Sequence, residues 1–402
     1  MPGFEVFGEA EKKEIAEVLD SGVLFRYEFA EQRQGVYKVR QFEDRFATYC
    51  GVGHAQAVTS GTAALKVALM ALGVGPGDEV ITQGFTFVAT WEAIFDAGAV
   101  PVFCEVDETL NMDPADLEKK ITTRTRAIIP VHMMGAPARI EEIVKIAARH
   151  KLPVLEDTAQ AAGASLHGKK LGTFGNCGTF SFDAVKTMTT GEGGMIVTDD
   201  EELWRAMSEY QDHGHDHVPN PGGRGGEGRR FIGFNYRMME LQGAIGLAQL
   251  NKLDEAIIAP QRGNKKRMKE AVQQIPGVRF RTVLDEDGDN ASFLSFFLDD
   301  PATVRTVNEC LKEKGCGAIA FAENTWHYYP KWEHLLQGRT LACSGWPFKD
   351  ADGRRRVIYD ADLLPRSAAI MERLLVLPVP VNLSDERLEQ IRKACAAVKE
   401  AV

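Results

Sequence analysis

The chain has 402 residues, 44% of them hydrophobic and 26% charged. At roughly 100–200 residues per domain, that composition allows two or three globular domains and excludes a small disulfide scaffold, a collagen or a wholly disordered chain. Its 47 Lys and Arg against 57 Asp and Glu give a net charge of −10, which disfavours a nucleic-acid-binding face.

The first residues, Met1 to Leu19, carry charges before any apolar run, unlike a signal peptide. No apolar stretch reaches the roughly 18 residues a membrane span needs. The seven cysteines are scattered without a Cys-x-x-Cys pair and read as reduced thiols. The expectation is a soluble cytoplasmic protein. From about residue 55 to 200, strand-like runs alternate with helical patterns. The runs are Ala55–Val58, Glu79–Thr82, Val100–Glu105, Ala127–Val131, Pro153–Glu156, Gly178–Phe182 and Gly194–Thr198. Such alternation predicts βαβ units and a mostly parallel sheet covered by helices on both faces.

Residues 219–228 hold five glycines and two prolines and predict a loop. Met238–Leu253 and Asn251–Arg267 have helical spacing. Beyond about residue 270, strand-like Ala291–Leu298 and helices near Ala302–Glu313 and Asp385–Ala397 predict a smaller α+β unit. The expected division is a large domain over 1–255, with a helical N-terminal segment, and a small C-terminal domain over 256–402.

In mostly parallel sheets ligands sit at the carboxyl ends of strands, so chemistry is sought there. Ser60-Gly61-Thr62 follows the first strand and opens a helix. Its exposed N–H groups and dipole suit a phosphate, although taken alone the motif reads first as a plain N-cap by Ser60. Glu156-Asp157 ends an apolar strand; a carboxylate there can bind a metal, act as a base, pair with a buried cation or cap a helix. Lys186 follows the strand Gly178–Phe182. A desolvated lysine can form a Schiff base, whereas most lysines are surface residues. Phe85 and Phe87 follow a strand and could be core residues. Each signal is weak alone, but phosphate site, acidic residue, aromatic face and lysine together are what pyridoxal 5'-phosphate requires.

These motifs, with Gly77-Asp78-Glu79-Val80-Ile81, Thr86-Phe87-x-Ala89-Thr90, Glu156-Asp157-x-Ala159-Gln160, Ser181-Phe182-x-x-x-Lys186 and Gly191-Glu192-Gly193-Gly194, resemble the DegT/DnrJ/EryC1/StrS sugar aminotransferases over nearly the whole chain. The resemblance implies the α/β aspartate aminotransferase fold (fold type I), pyridoxal phosphate, and a homodimer with shared active sites. It implies Lys186 as the Schiff-base and proton-shuttling lysine, Asp157 at the pyridine nitrogen, Gln160 near the phenolic oxygen and Phe87 on the ring. Ser60, Gly61, Thr62 and Ser181 would hold the phosphate, and Asn235 would reach the phosphate of the neighbouring subunit.

A narrower likeness lies in Pro2-Gly3-Phe4-Glu5-x-Phe7-Gly8, Phe25-Arg26-Tyr27, Asp212-His213-Gly214-His215-Asp216-His217 and Asn324-x-Trp326-His327-Tyr328. These segments are similar to the branch of that family that aminates the C8 aldehyde of an oxidised 3-deoxy-D-manno-octulosonate with glutamate as donor. Arg26, His215, His217, Arg224 and Arg229 are candidates for substrate contact. His213, His215 and His217 alternate, but no further cysteine or histidine group follows to complete a metal site, so none is expected. Alternatives are a nucleotide-sugar ketone aminotransferase or a non-catalytic regulator on the same fold.

Overall fold

The computed structural model describes residues 2–217 and 228–401; Arg224 and nearly all of the glycine-rich segment lie outside them. Twelve strands are present among the described residues. β1 (His54–Val58), β2 (Glu79–Gln83), β3 (Val100–Cys104), β4 (Thr125–Ile128) and β5 (Leu155–Asp157) precede a small hairpin of β6 (Ser165–Leu166) and β7 (Lys169–Lys170). Then come β8 (Cys177–Ser181), β9 (Gly194–Thr198), β10 (Arg279–Phe280), β11 (Phe293–Phe297) and β12 (Leu374–Pro378).

Two groups, β3-β2-β4 and β5-β8-β9-β1, join through parallel bridges Ile128 to Val154 and Val131 to Asp157. The result is one central sheet in the order β3-β2-β4-β5-β8-β9-β1. Only β9 runs against its neighbours, antiparallel to β1 and β8, which the alternating pattern did not reveal. The central strands β2, β5 and β8 are buried at every position, as expected of a sheet covered on both faces.

Helices cover those faces. α1 (Glu9–Ser21), α2 (Ala30–Arg33) and α3 (Lys38–Cys50) come first. In α3, Val39, Phe42, Phe46 and Cys50 recur at helical spacing and are buried against Phe180, Phe182 and Leu250. Burying each phenyl ring contributes roughly 1.5–3 kcal/mol. α4 (Gly61–Ala71) is buried from Ala63 through Leu69, so it is apolar nearly all round and sits inside the protein. α5 (Ala89–Asp96) packs beside it through Ala93 and Ile94. The expected long helix over 251–267 is interrupted: Glu240–Lys252 ends in a π-helical turn, Leu253–Ile258, before Ala259–Val272 resumes the α-helix. Pro260 at the start of that second helix lacks the N–H that would continue the ladder.

The C-terminal sheet β10-β11-β12 is antiparallel. Its own core joins Leu294, Phe296, Leu311, Leu375, Leu388 and Ile391. The chain between 321 and 364 leaves that core and packs Tyr329, Trp332 and Tyr359 on Trp91 and Phe103 beside the central sheet. No described helix is long and apolar enough to cross a membrane.

Candidate active site

Four strand ends converge on one cavity of about 270 Å³. Ser60, Gly61 and Thr62 reach it after β1, Phe87 after β2, Asp157 and Gln160 from β5, and Ser181 and Lys186 from β8. Eight of the nine cofactor residues expected from the sequence line it; Asn235 does not.

Ser60 caps α4 by accepting the Ala63 N–H at 3.0 Å. Gly61 and Thr62, the first residues of that helix, also line the cavity, and a helix N-terminus there favours an anion. A Cβ on Gly61 would lie 2.6 Å from Cβ of Ser181, so glycine lets the helix start close against the hydroxyl. Gly194 makes a similar approach possible from β9, where a Cβ would lie 2.3 Å from the Ser60 carbonyl oxygen.

Glu156 and Asp157 part company because consecutive strand residues point to opposite faces. Asp157 faces the cavity, where one oxygen accepts Thr90 Oγ1–H at 2.8 Å and the other the Ala159 N–H at 3.1 Å. Burial pushes its carboxyl up, opposed by those two donors, Lys186 and His132. Glu156 is fully buried on the other face. It accepts from the backbone of Gly172, Phe174 and Gly175 and lies 2.9 Å from Nε2 of His132.

Lys186 Nζ stands 5.5 Å from the centroid of the Phe87 ring. Burial lowers its pKa, with Asp157 and Asp183 pulling the other way; a larger fraction is therefore free amine than on a surface lysine. Its loop is tied down by its own N–H to the Asp183 carbonyl at 3.0 Å and by Gly3 N–H to the Lys186 carbonyl at 3.2 Å. The N-terminal Pro2-Gly3-Phe4 motif thus braces the lysine loop.

Gln160 accepts the Met134 N–H at 3.1 Å through Oε1, which leaves its amide N–H₂ as a donor toward the cavity. Asn324 and His327 also line the cavity. The sequence pattern quoted them without a role, since nothing local ties them to Lys186. The Asn324 carboxamide oxygen accepts the N–H of Trp326 at 2.9 Å and of His327 at 3.0 Å, fixing the loop. Burial, and after it the charge of Lys186, lowers the His327 pKa to about 4, so its imidazole is neutral at pH 7.

The substrate candidates are placed elsewhere. Arg26 is buried, with its guanidinium held by Glu43 at 2.8 Å and by the Ala57 carbonyl at 3.1 Å. It is a packed ion pair, not a cavity residue, because α3 brings Glu43 to it. His217 stacks on Tyr27 with centroids 4.3 Å apart, and its Nδ1 lies 3.0 Å from Nδ1 of His215. Asp212 joins them, and ligand-capable atoms of Asp212, His215 and His217 fall within 4.8 Å of one another. The Asp212 carboxylate is also paired with Arg237, whose positive charge works against a metal cation there. Arg229 is exposed and pairs its backbone with His215. Asn235 is exposed outside the cavity, its side-chain oxygen accepting the Arg237 N–H at 3.3 Å.

The donor set of the cavity fits pyridoxal phosphate. A helix N-terminus with hydroxyls suits the phosphate, a buried carboxylate suits a protonated ring nitrogen, an aromatic face suits the ring, and an amine suits the carbonyl carbon. The comparisons with known proteins agree. The DegT/DnrJ/EryC1/StrS aminotransferase family matches residues 6–346. The chain is 48% identical over 227 residues to the GDP-perosamine synthase of Caulobacter vibrioides, covering 55% of this chain and 58% of that protein, little more than half its length. It is 40% identical over 402 residues to the Bacillus subtilis spore coat polysaccharide biosynthesis protein SpsC, covering 97% of this chain and 94% of that protein. An aminotransferase structure from Psychrobacter cryohalolentis superposes with a TM-score of 0.81 at 28% identity, covering 98% of this chain and 97% of that one. The chain belongs to the DegT/DnrJ/EryC1/StrS aminotransferase family and is a pyridoxal-phosphate-dependent aminotransferase of fold type I.

Proposed function

We propose that this aminotransferase moves the amino group of glutamate to a sugar carbonyl, the C8 aldehyde of an oxidised 3-deoxy-D-manno-octulosonate. The product would be 8-amino-3,8-dideoxy-D-manno-octulosonate, a lipopolysaccharide sugar. The observation that carries the amination itself is the meeting of Lys186, Asp157 and the α4 N-terminus in one cavity. Support for the acceptor is the narrower sequence likeness, two of whose residues, Asn324 and His327, line that cavity.

Pyridoxal phosphate, when bound, supplies an electron sink for the carbanion at the carbon that gains or loses nitrogen. The protein's part is placement and proton transfer. Lys186 Nζ takes the proton from the donor's α-carbon and returns one to the acceptor carbon in the second half-reaction. Asp157 would hold the proton on the ring nitrogen. Ser60, Thr62, Ser181 and the N–H groups of α4 would grip the phosphate, and Asn235 would add to this from a neighbouring copy in a homodimer. Phe87 would cover the ring. Neutral His327 can donate to or accept from a sugar hydroxyl. Two half-reactions in one pocket imply ping-pong kinetics.

A second reading, a nucleotide-linked ketosugar as acceptor, is favoured by the likeness to the Caulobacter GDP-perosamine synthase. Turnover with glutamate, followed by formation of 2-oxoglutarate, distinguishes them. The octulosonate C8 aldehyde should react faster than a GDP-linked 4-ketosugar at equal concentration, and the opposite order would select the second reading. Lys186→Ala should abolish turnover and the visible absorption band of the cofactor; a variant that keeps both would remove the assigned role of Lys186.

A further inference from the structure

We infer that Thr90, supported by Thr86, is a positioning residue that keeps the Asp157 carboxylate ionised and aimed at the cofactor's ring nitrogen; the inference rests on the reading of Asp157 given above. Thr86, Thr90 and Asp157 are all buried. Thr90 Oγ1 lies 2.8 Å from Asp157 Oδ2 and 2.7 Å from Thr86 Oγ1. A threonine hydroxyl has one hydrogen. Thr90 spends it on the carboxylate, so Thr86 must donate to Thr90, and the relay runs in one direction, toward Asp157.

A protonated Asp157 would reverse or break that relay if its hydrogen sat on Oδ2, and would weaken the Ala159 N–H bond at 3.1 Å if it sat on Oδ1, where the oxygen becomes a poorer acceptor. The arrangement therefore stabilises the anion, with charge-assisted hydrogen bonds worth about twice neutral ones. The need is physical: burial alone drives this carboxyl toward its neutral form, and the Thr90 hydroxyl is the foremost of the opposing effects, ahead of the Ala159 N–H, Lys186 and His132. The threonines cannot drift, because backbone bonds fix their segment: Thr86 N–H to the His327 carbonyl and Val88 N–H to the Trp326 carbonyl, both 3.0 Å. They sit where β2 gives way to α5, four residues apart in sequence, within reach of each other across the turn.

The test is the pH midpoint of the holoenzyme's visible absorption band, read beside steady-state kinetics. With Asp157 neutral the ring nitrogen loses its proton, and the nitrogen linking Lys186 to the cofactor then keeps its own proton to higher pH. Thr90→Val, which removes the hydroxyl at nearly constant volume, should raise the midpoint by about one unit. It should lower kcat roughly tenfold or more, with the KM for glutamate changed less than about threefold. Thr90→Ser should restore both, Asp157→Asn should shift the midpoint at least as far, and Thr86→Val should move it the same way by less. Should Thr90→Val not fold, Thr86→Val still provides the readout. An unmoved midpoint in Thr90→Val and Thr86→Val, with a shifted one in Asp157→Asn, would overturn the role of the threonines alone. An unmoved midpoint in Asp157→Asn as well would overturn the reading of Asp157 and this inference with it.

Discussion

The indole of Trp326 lies parallel to the ring of Phe87, with 7° between their planes and 5.7 Å between centroids, although Trp326 is 59% exposed. A large apolar ring left in solvent beside the cavity backs the aromatic wall that faces Lys186. A sugar bound against the exposed side of that indole would gain about 0.5–1.5 kcal/mol, or roughly twofold to tenfold in affinity. Trp326→Ala should raise the KM for the sugar acceptor by that factor and leave the melting temperature nearly unchanged, while Trp326→Phe retains most of the affinity. A fall in melting temperature with constant KM would assign Trp326 to stability instead.

Gly61→Ala should separate cofactor binding from folding. The added methyl meets Cβ of Ser181 at 2.6 Å, forcing the α4 N-terminus off the opposing hydroxyl at a cost of about 1–3 kcal/mol. Titration of the apoenzyme with pyridoxal phosphate should show at least about tenfold weaker binding. Gly263 is the control, since it is exposed in the helix Ala259–Val272 with no neighbouring atom within 4 Å of an added Cβ. Gly263→Ala should stabilise by roughly 0.5–1 kcal/mol and bind normally.

Glu156 is a structural counterpart to Asp157. His132 Nδ1 accepts the Ala138 N–H at 3.1 Å, so its other nitrogen carries the hydrogen and donates to Glu156. Glu156→Ala would strand that donor and the Gly172 N–H in the interior and unpair the N–H groups of Phe174 and Gly175. The loss should exceed about 3 kcal/mol in urea unfolding. Glu9→Ala, at an exposed pair with Lys12, should leave the unfolding midpoint where it is. Equal effects from the two would contradict the buried network.

Acid should weaken the fold through its two depressed histidines. Burial lowers His327 and His217 to about 4, with Lys186 acting further on the first and His215 on the second, while Asp212 partly opposes the shift of His217. The unfolded chain therefore binds more protons between about pH 6.5 and 4, so stability is fully present above that window and falls as pH drops through it. Each histidine accounts for at most about 3 kcal/mol. His327→Gln should flatten the dependence of the urea midpoint on pH within the window. An unchanged slope would mean that His327 titrates normally in the folded protein.

Lys186 and Asp157 could be read from the chain because a strand end and a residue type together restrict the chemistry. The opposite facing of Glu156 and Asp157 also follows from strand alternation. Arg26 could not be read in this way. Its partner Glu43 lies on α3 and meets it only when that helix packs, which places the Arg26 guanidinium in a buried ion pair outside the cavity. His217 is likewise decided by Tyr27, whose ring covers it. Arg224 lies outside the described residues. Asn324 and His327 arrive at the cavity from the C-terminal part of the chain, pinned by bonds to the Thr86–Val88 segment that no local pattern encodes.

The sequence by itself determined an acidic composition, the presence of all seven central strands with bounds no more than three residues from those observed, and a Ser-Gly-Thr turn at the start of a helix after the first of them. It did so because hydrophobic periodicity and strand-end chemistry are local properties. The direction of β9 was settled by tertiary structure: the link over residues 182–193 is long enough for either a crossover or a return turn. Tertiary structure also chose which cations face the cavity and which are spent on buried carboxylates, because desolvation makes a buried charge seek whichever partner packing brings within reach.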